Sequence, residues 1–193
     1  MRRFHALHVK WIVPVVCTMA FVVSTQSFAT VDMFLKYEFP GESTDPAHQG
    51  WIDVLHFTQG ITLPLSGHRV VGPSQFQDFQ ITKNVDRASP RFFLACAQAQ
   101  HFTSATLQVY RLVSTVNVKI LEIVFQDIFV SSDKLDPTAV EDPTEILTLN
   151  VGRVRWTHFR YNVDGKLLDS LTTTWDILAN KPAAVLPDLV KLE

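Results

Sequence analysis

The chain of 193 residues carries seven histidines, two cysteines and nineteen acids that could do chemistry. Five of the histidines lie beyond residue 29: His48, His56, His68, His101 and His158. None forms an H-x-x-x-H pair and there is no C-x-x-C, so the usual spacings of metal ligands are missing. Asp53 and His56 are three apart, which in a strand sends their side chains to opposite faces. No G-x-S-x-G elbow, phosphate loop or dinucleotide glycine pattern occurs, and Ser66-Gly67-His68 reads as a loop. A glycosidase needs only two carboxylates, but nothing singles out a pair here. Asp78 reads as a strand-surface carboxylate and Asp86 as a loop carboxylate. No catalytic residue, metal site or cofactor is therefore expected. Seventeen basic against nineteen acidic residues leave a charge of −2. That balance, with no basic-aromatic platform, excludes nucleic acid as a partner.

Residues 1–29 read as an address. Arg2, Arg3 and Lys10 precede an uncharged, mostly apolar run over 11–23, and Ser27-Phe28-Ala29 offers small residues at a cleavage site. This is the layout of a secretory signal peptide, and the run is shorter than the ~20 residues a membrane span needs. Val16 before Cys17 argues against a lipoprotein, and Arg2-Arg3 lacks the surroundings of a twin-arginine signal. Removal of 1–29 moves the charge from −2 to −5 and leaves Cys96 as the one cysteine. The exported part, with no stable membrane insertion after cleavage, must then be held by its core. Cys96 reads as a small apolar core residue.

The elements that would position these groups are mostly strands. Strand patterning covers 33–39, 51–57 with both faces largely covered, 75–82, 105–110, 117–131 and 145–161, and Leu171, Thr173, Trp175 and Ile177 alternate in a final strand. Residues 63–72 and 134–143 read as loops, and 181–193 as a short tail. Ser114-Thr115 and Asp164-Gly165 mark turns. One helix is expected over 90–100, with Ser89 as its cap and Pro90 in its first turn. Between Val151 and Val154 the apolar set changes parity, which predicts a bulge at Gly152-Arg153, where glycine could take a positive φ. The sum is about seven or eight strands and one helix. The fold class is mainly β: an antiparallel two-sheet barrel or sandwich with one α-helix at its side.

Taken in order, several segments resemble a known family. They are DMFLKYEFPGES at 32–43, HQGWIDVLHFTQG at 48–60, FQDFQITKNVDRASPRFFLACAQAQH at 76–101, SATLQVYR at 104–111, FQDIFVSS at 125–132, PTEILTLNVGRVRWTHFRY at 143–161 and TTWDI at 173–177. The chain from about 31 to 177 is similar to the Hcp family, the haemolysin-coregulated tube proteins of bacterial type VI secretion. The most specific pieces are H-x-G-x-I-D-V-L, K-x-x-D-x-A-S-P and T-L-x-x-x-x-V-x-W.

The resemblance implies a compact barrel-like domain over 30–178, ahead of a tail at 179–193. It implies a hexameric ring of identical subunits with a wide pore, and rings stacked into a tube. It also implies a non-catalytic secreted protein that carries small effector proteins. His48, Gly50, Asp53, Lys83, Asp86, Ser89, Pro90, Gly152 and Trp156 are the motif positions, expected to serve assembly or the fold itself. Family members are made without a secretory signal, and here this chain departs. Two readings stay open: a secreted tube subunit, or an exported binding module of the same fold for a carbohydrate or a cell-surface partner. Both place the protein outside the cytoplasm, secreted or periplasmic.

Overall fold

The computed structural model describes residues 31–137 and 142–184; the expected signal segment at 1–29 and the residues from 185 onward lie outside them. In chain order the elements are β1 (Val31–Lys36), β2 (Ile52–Asp53), β3 (His56–Thr58), β4 (Ile61–Thr62), β5 (Leu65–Ser66), β6 (Arg69–Val70), β7 (Gln75–Phe76), β8 (Phe79–Asn84), α1 (Ser89–Ala97), β9 (His101–Val113), β10 (Val116–Asp136), β11 (Thr144–Tyr161), β12 (Leu167–Asp176) and β13 (Lys181–Pro182). All pairings among the described residues are antiparallel. The main sheet runs β13-β12-β11-β10-β9-β1-β2, and β8 joins the first half of β11 and carries β3.

The long strands β9, β10 and β11 run through both layers of the sandwich. Each turns its apolar face over in the same row. Phe102 and Ala105 of β9, Phe125 and Ile128 of β10, and Val151 and Val154 of β11 all enter one core, although each pair is three apart. Three strands changing face together make a crease, about which the sheet folds onto itself. The core so enclosed includes Leu35, Phe39, Ile52, Phe79, Phe92, Leu107, Ile123, Leu147 and Leu149.

At that crease the sequence expectation needs correcting. Gly152 has no positive φ; its cross-strand neighbour Asp127 does, at 54°. The pairing keeps one register on both sides, Gln126 with Arg153 and Ile128 with Val151, so no extra residue is inserted there. The register break of this pair lies instead between Val130 and Ser132. Glycine at 152 serves close approach: a Cβ there would sit 2.9 Å from Asp127 Cβ and 3.1 Å from Leu178 Cδ1. The strain is taken by Asp127, a residue type that tolerates the left-handed region.

Other expectations shift in the same physical way. The strand over 51–57 is split, because Val54 N–H donates to Met33 O of β1 while Leu55 N–H donates to Thr82 O of β8. Only Ile52 and Val54 on it are buried; Leu55 is half exposed, so one face is covered rather than both. The chain itself thus joins the two layers at this corner, and the hydrogen-bonded ladder does not close into a barrel. The stretch 75–82 is likewise divided into β7 and β8. Residues 63–72 hold a small hairpin, β5–β6, turning at Gly67 with φ 59°. Lys134, Leu135 and Asp136 continue β10 opposite β11 rather than opening a loop. Leu171 of β12 is 77% exposed. Lys181 and Pro182 pair with β12 instead of belonging to a structureless tail.

The helix α1 is shorter than expected and its start is made differently. Ala88 is the N-cap, with no side-chain cap bond, and Pro90 sits in the first turn as the sequence predicts. Phe92 and Ala95, three apart, are fully buried against the sheet. The end comes at Ala97 because Ala99 adopts φ 50°, letting Gln100 N–H reach back to Ala95 O at 2.9 Å.

Candidate functional site

Two buried polar clusters gather most of the motif residues. The first forms around His48, in the segment between β1 and β2. Its ring is 3% exposed. It stacks on Phe34 of β1 at 4.0 Å and 5°, with the edges of Trp51 and Tyr110 at 4.9 and 4.8 Å. Nδ1 lies 2.6 Å from Asp45 Oδ1 and Nε2 lies 3.1 Å from Gln108 Oε1. The Gln108 amide is oriented by its own donation to Glu122 Oε2 at 2.9 Å, and Tyr110 Oη donates to Gln108 Oε1 at 3.2 Å. Glu122 also takes Lys119 Nζ and Arg155 Nη2. The hydrogen bond from His48 is the main reason the Asp45 carboxyl sits below its ordinary range. Burial is the main reason the Tyr110 phenol is pushed up.

The segment is closed locally. Ser43 and Gly50 exchange backbone contacts with Trp51 and Ser43, and Gly50 turns the chain at φ 75°. Asp53 of β2 is exposed and pairs through its backbone with Phe34. The ring of His48 is therefore a peg that fixes this loop to β1 and β9.

The second cluster lies where β8, α1 and β11 meet. Lys83 and Glu145 are both fully buried, and their charged ends are 2.9 Å apart. Lys83 Nζ also donates to Asn84 O at 2.7 Å and to Ser89 Oγ at 3.0 Å, and lies 2.9 Å from Asp86 Oδ1. Ser89 Oγ donates to Glu145 Oε2 and accepts from Asp86 N–H at 3.1 Å. Asp86 Oδ1 accepts from Ala88 N–H at 2.8 Å, which secures the turn into α1. The serine that the sequence marks as a cap is thus spent on a carboxylate 56 positions away.

A lysine 3.0 Å from a serine hydroxyl resembles a nucleophile with its base. Its other partners decide against that chemistry. An ammonium held by two carboxylates and a carbonyl has no lone pair free for a proton, and the hydroxyl already donates to Glu145. Asp133 of β10 adds a third carboxyl, pushed up to about 6 by burial first and then by the charge and hydrogen bond of Glu145. Pro90 lies on the outer side of the cluster, exposed.

The remaining motif residues stand apart from both clusters. Gly152 is at the crease, and Trp156 packs half-buried against the core. Sequence reasoning missed Asp45, Gln108, Glu122, Asp133 and Glu145. Gln108 is 60 positions from His48 and Glu145 is 62 from Lys83, so only tertiary contact reveals them. Among the described residues no group of three His, Cys, Asp or Glu side chains is placed to hold a metal ion, and no helix is long and apolar enough to cross a membrane.

Comparison with known proteins places this geometry. The family model described as "Type VI secretion system effector, Hcp" matches residues 30–158. The chain belongs to the Hcp family. The protein Hcp1 of Pseudomonas aeruginosa is 31% identical over 141 residues, covering 70% of this chain and 87% of that protein. The crystal structure of Hcp1 from Salmonella typhimurium superposes with TM-score 0.67 at 25% identity, over 79% of this chain and 99% of that one. A structure described as a type six secretion system protein reaches TM-score 0.74 at 23% identity, over 80% and 100% of the two chains, and supports the fold alone. This Hcp chain is a type VI secretion tube protein by family, and it comes from a family of secreted proteins.

Proposed function

We propose that this Hcp chain is a subunit of a hexameric ring, that its rings stack into a tube, and that small effector proteins travel in the pore. The observation that carries the reading is the family match across 30–158. The sheet supports it physically. Among the described residues, the outer edge of β12 from Leu167 to Thr173 has no strand beside it, and Leu168 and Leu171 stand 55% and 77% exposed. An open apolar edge is a liability that a neighbouring subunit removes. A head-to-tail contact that closes gives a ring. The two motif clusters would serve such a ring by fixing the β1–β2 segment and α1 rigidly to the sheet, and a non-catalytic role agrees with Lys83 being held by carboxylates.

Residues 1–29 are read as a secretory signal, so the ring-forming part would begin at Thr30. N-terminal sequencing of the exported protein checks this; a protein still starting at Met1 overturns it. Negative-stain microscopy of residues 30–193 tests the assembly. Hollow rings are expected, and a strictly monomeric protein at high concentration contradicts the reading.

A further inference from the structure

Beside α1 lies a cavity of about 560 Å³. Its walls are Val85, Pro90, Phe93 and Leu135, and its floor is Asp86, Ser89 and Asp133. The walls are apolar and open: Phe93 is 68% exposed and Leu135 59%. On the helix, Phe93 points away from the core that Phe92 fills.

The floor holds more negative than positive charge. Lys83 supplies one ammonium, and Glu145 and Asp86 both lie 2.9 Å from it. Asp133 is a third carboxyl. Its buried Oδ1 and the buried Glu145 Oε1 take no hydrogen bond from any other described residue; the two carboxyls meet each other. Two carboxyls facing each other out of water need a proton between them or a cation beside them.

We propose that this cavity binds a lysine or arginine side chain of another polypeptide, flanked there by an apolar residue. The charged head would meet Asp133 and Asp86, as a charge-assisted pair. The stem and the apolar neighbour would lie along Phe93, Leu135, Val85 and Pro90, since long basic side chains cover apolar surface while their heads find charge. An anionic ligand is repelled by the floor. A neutral apolar one would desolvate Asp133 without pairing it. A free amine fills the floor and leaves the apolar walls open, which favours a polypeptide as the source.

Without a cation beside it, Asp133 holds a proton up to about pH 6. Burial and the neighbouring Glu145 push Asp133 up to about 6, with Lys83 opposing. Glu145 comes from β11 and Lys83 from β8, while Asp86 and Ser89 complete the floor from the turn into α1. A cation arriving at Asp133 displaces that proton, so affinity should rise as pH climbs through about 6. This inference does not depend on ring formation.

The test is fluorescence anisotropy of the purified protein with a labelled Leu-Arg-Phe peptide amide, against the same peptide carrying norleucine in place of arginine. The arginine peptide should bind at least about tenfold more tightly, and more tightly at about pH 7.5 than at about pH 5. Asp133→Asn and Phe93→Ser should each weaken it by about tenfold, with melting curves confirming the fold. Equal binding of the two peptides, no binding, or no loss in Phe93→Ser overturns the proposal. Full competition by agmatine at matched concentration also overturns it, since the occupant would then be a free amine.

Discussion

His48 and Lys83 are both buried basic side chains that tie a connecting segment to the sheet, but their surroundings are built to different ends. Around His48 the box is shut: an aromatic face, two aromatic edges and an acceptor at each ring nitrogen. Around Lys83 the charges do not balance, and one side opens to a cavity with Asp133 on its floor. The first cluster only holds a loop. The second holds a helix and keeps a carboxyl in reserve. Two motifs that look alike as strings of polar residues are thus distinguished by charge count and access.

The comparison is broken most strongly at Lys83. Lys83→Met should destabilise the fold by about 3–5 kcal/mol in urea unfolding, because it leaves Glu145 buried without its cation. The double change Lys83→Met with Glu145→Leu should recover most of that loss. His48→Ala should cost about 2–4 kcal/mol, through the lost stack on Phe34 and the cavity it leaves. Unlike Lys83→Met it strands no fully buried charge, since Asp45 is near the surface. A loss at His48 larger than at Lys83 would reverse the ranking.

A smaller effect is expected at the crease. Gly152→Val should destabilise by about 1–3 kcal/mol, because its Cβ would meet Asp127 Cβ at 2.9 Å. Asp127→Gly should stay within about 1 kcal/mol of wild type, since glycine accepts φ 54° without strain but gains freedom in the unfolded chain. Equal melting temperatures for Gly152→Val and wild type would refute the close-approach account.

The smallest effects are in pH dependence, and here the clusters differ in sign. Asp45 is held below its ordinary value of 3.8, chiefly by the bond from His48. Its contribution is full above that value and is lost as pH falls through the lowered one. Asp133 runs the other way: raised from 3.8 to about 6, it contributes stability below 3.8 that is lost as pH rises through about 6. Asp133→Asn should therefore raise stability at neutral pH, by less than about 1 kcal/mol after solvent screening, and give no gain near pH 4. Thermal melts at the two pH values check this. A gain at low pH and none at neutral pH would contradict it.

Much of this was legible in the residue pattern, for a local reason. The pairing of β9 with β10 and of β11 with β12 follows from alternation and from turns at Ser114-Thr115 and Asp164-Gly165. The parity change at Gly152 was visible too, but its seat was not. Asp127 reads as one polar residue in an apolar strand, and nothing local says that it carries the left-handed backbone. Ser89 looked like a cap because capping is local, whereas its hydroxyl is committed to Glu145 across the fold. The hairpin within 63–72 was hidden by Pro64, which lies just before the pairing at Leu65. Asp133 escaped notice because its meaning depends on Glu145, Lys83 and a cavity, all assembled by tertiary contact.

The ring remains the claim on which the function turns. Sedimentation velocity of residues 30–193, beside the edge variant Leu171→Glu, tests it most directly. The account predicts one species of about six copies for the wild type and smaller species for the variant, since Leu171 lies on the open edge of β12. A wild-type protein that sediments as a monomer at every concentration would contradict it.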